Sequence, residues 1–228
     1  MIGVRGAGSC IPGPCLPHGS IHPSPDTWPA GNSGYRRGGG KGIVGFSQLH
    51  AQGTGGDKSY GNFLVSPQIG LKVTEADRAS DVADETARVD CYRVRLAKYD
   101  IQCEVTPTAH AALYRFTFPQ SDEATIAIDV GRKLDSSTGM DDGEIRIDPQ
   151  RGIITGGGQF SHNWNPAAYH CFFVGQVNRL PEKTGVWIDR AIDGDRSTAA
   201  AKQKPLGGYL QWKTSPGEVI ELKIAVSF

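Results

Sequence analysis

Alternating apolar and polar residues mark most of the chain after residue 88. In the stretch from Val89 to Ala97, for example, Tyr92, Val94 and Leu96 occupy every second position. Successive side chains of a strand point to opposite faces, so this pattern predicts a half-buried β-strand. Further strands are predicted at Ile101 to Thr106, His110 to Phe118, Thr125 to Val130, Gly143 to Asp148, Gly152 to Gly156, Tyr209 to Lys213 and Val219 to Val226. Two short apolar runs, Ile43 to Phe46 and Asn62 to Val65, predict strands earlier in the chain.

Turn residues and one long apolar run complete the pattern. Residues 149–152 (PQRG) predict a hairpin turn, and residues 215–217 (SPG) predict a turn before the last strand. The stretch from Ala168 to Val177 is almost wholly apolar, which predicts a central strand covered on both faces. Residues 71–87 are rich in Asp, Glu and Ala and predict a solvated connection, with a helical turn as the alternative. About ten or more strands, and no helix with an apolar stripe, predict an all-β sandwich.

A glycine-rich segment separates the first two predicted strands. Gly53, Thr54, Gly55 and Gly56 lie between the apolar runs 43–46 and 62–65. Glycine permits backbone conformations closed to other residues and lets a ligand approach the main chain closely. The segment is longer than an ordinary hairpin turn. Two interpretations stay open: a plain surface loop between two strands, or a loop that binds a ligand.

Composition sets limits on size and partners. The chain has 228 residues with no formal net charge, and it contains 30 Gly and 14 Pro. This length suits one large β domain or two small ones with a substantial core, and the prediction is a single domain over residues 1–228. Balanced charge gives no reason to expect a nucleic acid or an anionic membrane surface as partner. No apolar stretch approaches the roughly 18 residues of a membrane span.

The five cysteines do not define a disulfide framework. They are Cys10, Cys15, Cys91, Cys103 and Cys171, and an odd number leaves at least one thiol unpaired. Cys91 and Cys103 lie on predicted neighbouring strands and could face each other. They could equally be small core residues, which is the commoner fate of a free cysteine.

Three short motifs are rejected as sites. The string Cys10, Cys15, His18, His22 resembles zinc ligands, but its spacing is too short for a zinc finger and several prolines stiffen it. The G-x-G-x-x-G at residues 40–45 precedes a strand, whereas a dinucleotide fingerprint follows one. The acidic D-G-D at residues 193–195 lacks the remaining oxygen ligands of a calcium loop. No metal site is therefore predicted within this chain.

The glycine-rich segment and its flanks resemble one enzyme family. Residues 45–55 read G-F-S-Q-L-H-A-Q-G-T-G, and Y-G-N follows at 60–62. This is similar to the N-terminal domain of glycoside hydrolase family 92, the calcium-dependent exo-acting α-mannosidases. The resemblance covers nearly the whole chain. Its supporting segments are 11–19, 24–27 (S-P-D-T), 99–101, 106, 114–116, 185–187 and 226–228.

The resemblance carries implications for fold and chemistry. It implies a large two-sheet antiparallel super-sandwich of the galactose-mutarotase type. It also implies an inverting mechanism, which needs two carboxyl groups about 6.5–9.5 Å apart. In the family both carboxylates and the Ca²⁺ ligands lie on an (α/α)6 barrel that follows this domain, so no catalytic residue is expected here. The barrel and a mannose-type glycan are the implied partners, and the location is secreted or periplasmic. No signal peptide is visible, and a leader is expected to precede Met1.

Substrate-binding candidates follow position by position from the family's loop. They are His50, Gly53, Thr54, Gly55 and Gly56, whose hydroxyl and N–H groups can donate to sugar hydroxyls. His50 has an alternative role, in which it bonds a loop carbonyl. Trp164 lies in a polar loop and is predicted to be an exposed sugar platform. Trp28, Trp187 and Trp212 are predicted to be core residues, as single tryptophans on β runs usually are.

Two departures from the family pattern bear on specificity. Gly56 stands where many α-1,2-mannosidases of the family have a cysteine, and an extra residue precedes Tyr60. Residues 28–33 replace the usual Trp-containing turn after S-P-D-T. The sequence therefore supports a sugar-binding part of a glycosidase without fixing the sugar or linkage. The alternatives are a stand-alone carbohydrate-binding module and a purely structural lid on the barrel.

Overall fold

The computed structural model describes residues 3–38, 42–51, 58–134, 139–161 and 167–228. These residues form sixteen β-strands and one short helix. The strands in the first half are β1 (Ser24–Thr27), β2 (Ile43–Ser47), β3 (Leu64–Ile69), β4 (Val82–Ala87), β5 (Tyr92–Leu96), β6 (Ile101–Pro107), β7 (Ala111–Phe118) and β8 (Ser121–Asp129), with α1 (Glu75–Arg78) before β4. The second half adds β9 (Gly139–Asp148), β10 (Ile153–Ser161), β11 (Tyr169–Val177), β12 (Lys183–Ile188), β13 (Ala191–Asp193), β14 (Thr198–Lys202), β15 (Leu206–Thr214) and β16 (Glu218–Ser227).

The strands form two antiparallel sheets packed face to face. The seven-stranded sheet has the order β1-β2-β3-β8-β15-β12-β13, and the nine-stranded sheet has the order β14-β9-β10-β11-β16-β7-β6-β5-β4. The predicted turn at 215–217 leads from one sheet into the other, since β15 and β16 belong to different sheets. The all-β, two-sheet sandwich predicted from the sequence is confirmed.

The core between the sheets is rich in aromatic side chains. Phe46 of β2 is fully buried, and its ring lies 5.8 Å from that of Tyr114 and 6.3 Å from that of Tyr92, measured between centroids. Trp212 is fully buried in this core, and Trp187 is fully buried in a separate small cluster with Ala127 and Tyr209; both are buried, as the sequence predicted. Alternate positions of the strands supply these side chains, so one face of each sheet builds the core.

One strand prediction is wrong and needs correction. The run from Ala168 to Val177 was expected to be covered on both faces, but β11 alternates buried and exposed residues. Phe172 and Val174 point outward and are each 47% exposed. These two side chains are exposed because β11 lies in the nine-stranded sheet. In the described part of the chain, no second layer covers the outer face of that sheet over these residues.

The acidic stretch 71–87 is more ordered than a solvated connection. Its helical turn exists as α1, where the Thr74 hydroxyl accepts from the Asp77 N–H as an N-cap. β4 then pairs with β5 at the edge of the nine-stranded sheet. β4 is held by backbone pairing with β5 and has no buried side chain, so the pattern of apolar residues does not predict this strand.

The cysteines are free thiols, and no disulfide forms between Cys91 and Cys103. Cys103 is buried in the core, where removal from water raises the pKa of its thiol well above the usual value. Within the described ranges, no helix is long and apolar enough to cross a membrane.

Several loops and strand ends meet at one end of the sandwich. His22 contacts His50, and Ser20 contacts His110 through a 2.8 Å hydrogen bond. The N–H of Val226 donates to the carbonyl of His110, which places the end of β16 beside these loops. Tyr169, at the start of β11, has its ring 5.7 Å from that of Tyr60. His50 and Tyr60, which flank the glycine-rich segment in the sequence, therefore lie at this end.

Candidate functional site

Two segments of the family pattern meet in one buried hydrogen-bonded group. β1 carries the S-P-D-T motif and pairs antiparallel with β2, so Asp26 lies opposite Gly45. The Ser47 hydroxyl donates to Oδ2 of Asp26, and Nε2 of His50 lies 2.8 Å from Oδ1 of the same carboxylate. The side chains of Asp26 and His50 are both completely buried. The two motifs are therefore physically coupled through Asp26.

His50 also holds the backbone below the glycine-rich segment. Its Nδ1 lies 2.7 Å from the carbonyl oxygen of His22, and Nδ1 of His22 lies 3.2 Å from the carbonyl oxygen of His50. Both ring nitrogens of His50 thus lie within hydrogen-bond distance of an oxygen atom, one of the Asp26 carboxylate and one of the His22 carbonyl. His50 bonds a carbonyl, as one of the two interpretations of the sequence stated. Its buried side chain is not itself presented to solvent.

Backbone bonds close the base of the segment on its other side. His50 and Tyr60 form an isolated antiparallel bridge, and the N–H of Gly61 donates to the carbonyl of Leu49 at 3.0 Å. The N–H of Lys58 donates to the carbonyl of Asn32 at 2.7 Å. The chain therefore enters and leaves residues 52–57 at fixed positions.

Arg132 places a buried positive charge beside this base. Its guanidinium lies 3.4 Å from Oδ2 of Asp26 and 3.3 Å from Oε1 of Glu75, and its side chain is 1% exposed. Burial acts to raise the pKa of Asp26, but the charges of Arg132 and His50 and two hydrogen bonds lower it below its usual value. Asp26 is therefore held as the carboxylate.

Glu75 responds differently to the same surroundings. Burial raises the pKa of Glu75, and the nearby carboxylates of Asp129 and Asp26 add to this effect, while Arg132 opposes it. Arg78 forms a second buried ion pair with Asp129 at 2.7 Å. Among the described residues, Oδ1 of Asp129 and the three guanidinium nitrogens of Arg132 have no hydrogen-bond partner. Such buried groups are rare, and they are candidates for contacts with a ligand.

A cleft of about 580 Å³ opens over these groups. Its floor includes Glu75, Asp129 and Arg132, and Trp28 stands on its wall. Lys58, the first described residue after the glycine-rich segment, also lines it. The volume falls in the range of small-molecule sites, and a mainly apolar wall with a few polar groups is their usual lining.

The sequence-predicted site residues divide into two groups. His50 lies at the base described above. Gly53, Thr54, Gly55, Gly56 and Trp164 lie outside the described residues, so their roles stay predictions. Sequence reasoning missed Arg132 and Glu75 and assigned Trp28 to the core, whereas Trp28 is only partly buried at the cleft. The position of Trp28 directly after S-P-D-T was a signal that could have identified it.

The charge of Asp26 should make its contribution to stability depend on pH. Because the pKa of Asp26 is lower in the folded chain than its usual value of 3.8, its contribution is present above that value and disappears as pH falls through the folded pKa. We expect the difference in unfolding free energy between the wild type and Asp26→Asn to shrink below about pH 4. Urea unfolding from pH 7 to pH 2.5 measures this difference. A difference that stays constant over the range would contradict a charged Asp26.

Comparison with known proteins places this geometry in a family. The model of the glycosyl hydrolase family 92 N-terminal domain matches residues 1–227. A protein of Arthroderma benhamiae described as an uncharacterized secreted glycosidase is 29% identical over 94% of this chain and 30% of its own length.

Solved structures agree with this assignment. A family 92 α-mannosidase of Bacteroides thetaiotaomicron, in complex with mannoimidazole, has a TM-score of 0.85 and 28% identity over 99% of this chain and 31% of its own. A family 92 inverting mannosidase of the same organism shares the fold, with a TM-score of 0.79 and 19% identity over 97% of this chain and 29% of its own. The chain spans about 30% of the length of these relatives. This chain is a member of the glycosyl hydrolase family 92 N-terminal domains.

Proposed function

We propose that this chain is the N-terminal β-sandwich domain of a longer, exo-acting α-mannosidase-like glycoside hydrolase. Its role is to supply the glycine-rich segment, residues 53–56, to a sugar pocket that a C-terminal (α/α)6 barrel of the same polypeptide completes. The family match and the 31% share of the mannoimidazole-bound relative support a domain of a larger enzyme. The secreted relative supports a secreted or periplasmic location.

The observation that carries the proposal is the rigid base beside an open cleft. Asp26, His50 and the backbone bridge at Tyr60 hold both ends of the glycine-rich segment, while Lys58 joins that segment to the cleft. In this proposal the N–H groups of the segment and the Thr54 hydroxyl donate to the sugar, and the described residues on either side hold the segment at the cleft.

The lining of the cleft suits a sugar. Trp28 offers an aromatic surface to the apolar C–H groups of a pyranose ring, and Lys58 and Glu75 can bond to its hydroxyls. Asp26 and Asp129 are committed to buried cations, so they orient the site rather than transfer protons. In this proposal the two carboxyl groups of the inverting reaction lie on the barrel.

Calcium belongs to the same proposal. Ca²⁺ takes six to eight oxygen ligands, and within the described ranges no three His, Cys, Asp or Glu side chains form a group that could hold a metal. We propose that the ligands of the ion lie on the barrel, and no step by this chain is routed through it.

Thr54→Ala in the longer enzyme tests the proposal. We expect kcat/KM for an aryl α-mannoside to fall at least tenfold, since a donor to the sugar is lost, while the melting temperature stays unchanged. Thr198→Ala, at an exposed position on β14, is the matched control and should not affect either quantity. The isolated 228-residue chain should show no hydrolysis. An unchanged kcat/KM in Thr54→Ala would remove the glycine-rich segment from the active site.

A further inference from the structure

The outer face of the nine-stranded sheet carries a groove of about 510 Å³. The groove and the cleft described above share no lining residue. The register of the strands explains its shape. Ala200, Glu144, Gly157 and Phe172 lie opposite one another on β14, β9, β10 and β11. Small residues at two of these four positions leave a low floor, and Phe172 stands at one side as a wall.

The aromatic wall is exposed and flat. Phe172 is 47% exposed, and the ring of His170 lies nearly parallel to it, at 10° and 6.4 Å between centroids. A Cβ atom on Gly157 would lie 2.6 Å from Cδ1 of Phe172, so only glycine lets the ring lie against the neighbouring strand. The exposed Phe172 ring and the His170 ring beside it together offer an aromatic surface to a ligand in the groove.

The opposite side of the groove carries charges without ion-pair partners. Asp142 and Lys202 are cross-strand neighbours, and Glu144 lies two residues further along β9. Among the residues that the structure describes, none of these three side chains forms a salt bridge, although many surface charges elsewhere do. Two carboxylates and one ammonium group therefore remain able to accept and donate hydrogen bonds.

We propose that this groove is a second binding site whose ligand is a neutral saccharide. The apolar C–H face of a sugar ring stacks on an aromatic wall, and its hydroxyls match closely spaced carboxylate and ammonium groups. Nucleic acid fits poorly, because Asp142 and Glu144 would face its phosphates. A protein partner fits poorly as well, because unpaired charges are depleted from the centres of protein interfaces.

The location suggests what such a site does for a glycosidase, and this step rests on the proposed function. Tyr169 points inward to Tyr60 at the base of the glycine-rich segment, and His170, the next residue, lines the groove. A long glycan held in the groove would stay near the end of the sandwich at which its terminal sugar is removed. The groove should therefore matter for polymeric substrates and not for small ones.

Affinity electrophoresis of the 228-residue chain tests binding directly. The probes are soluble α-mannan, xylan, starch and β-1,3-glucan, one in each gel. We expect retardation by at least one of them, and Phe172→Ala should weaken that retardation at least fivefold. Val174→Ala is the matched control, because Val174 lies on the same face of β11 with the same 47% exposure but does not line the groove. Glu144→Gln should weaken binding by a smaller factor while the fold stays intact.

The outcomes are decisive for the groove and separate from those for the glycine-rich segment. Absence of retardation by all four glycans, or equal retardation of the wild type and Phe172→Ala, would overturn the proposal. A lower melting temperature of Phe172→Ala only in the longer enzyme, without glycan binding, would identify a domain interface instead. Where α-mannan is the retarding polymer, Phe172→Ala in the longer enzyme should slow release of mannose from it and leave hydrolysis of an aryl α-mannoside unchanged. Loss of activity toward both substrates would contradict a site that is separate from the active centre.

Discussion

Asp26→Asn is expected to lower the free energy of unfolding by about 3–5 kcal/mol at pH 7, the usual cost of removing one member of a buried charge pair. The substitution keeps the shape of the side chain but removes the charge that faces Arg132 and His50. An amide nitrogen at the Oδ2 position would also place a donor against donors, because Oδ2 accepts from the Ser47 hydroxyl and lies 3.4 Å from the Arg132 guanidinium. Urea unfolding followed by tryptophan fluorescence measures the loss.

The control for this variant is an exposed ion pair. Asp84 pairs with Arg95 at 3.0 Å, but the Asp84 side chain is 70% exposed. Solvent screens such pairs strongly, so Asp84→Asn should leave the unfolding curve close to that of the wild type. Equal effects of the two substitutions would show that the charge of Asp26 does not stabilise the fold. A loss confined to Asp26→Asn would establish that the S-P-D-T motif acts through structure.

Phe46→Ala is expected to cost about 3–5 kcal/mol, the range found when a buried phenylalanine is truncated. Phe46 is fully buried between the sheets, and its ring contacts those of Tyr92, Tyr114 and Phe116. Alanine would leave a cavity that strands fixed on both sides cannot close. Thermal unfolding monitored by circular dichroism measures the loss.

A graded series distinguishes core packing at Phe46 from contact with a ligand. Phe46→Leu retains most of the apolar volume and should cost clearly less than Phe46→Ala. In the longer enzyme, Phe46→Leu should keep the wild-type KM for an aryl α-mannoside, because the Phe46 ring is buried between the two sheets. A raised KM with an unchanged melting temperature would instead assign Phe46 to the sugar pocket.

The sequence was sufficient for the fold class and for most strands, because the period of two in stretches such as β5 and β9 reflects local geometry. It was insufficient where the environment of a residue depends on distant parts of the chain. β11 shows this: the same apolar run suits a strand covered on both faces or a strand with an exposed binding face. Only the position of β11 in the sheet order decides between them.

The candidate site could be predicted only in part, for the same reason. The motif around His50 was visible in the sequence, but its partner Asp26 lies 24 residues earlier and Arg132 lies 82 residues later. No local period connects these positions, since the pairing of β1 with β2 and the turn after β8 bring them together. Charged residues outside the predicted strands are usually interpreted as solvated, which is why the sequence did not identify Arg132 and Glu75 as site residues.

The place of β16 in the sheet order has a consequence for how the protein matures in the cell. β16 is synthesised after the other fifteen described strands, yet it lies between β11 and β7 in the middle of the nine-stranded sheet. Until residues 218–227 leave the ribosome, β11 and β7 each have an unpaired main-chain edge on the side where β16 will bind. Such edges promote aggregation of nascent chains. The fold therefore has to close after translation of this domain, and chaperones that shield open strands are expected to determine its yield.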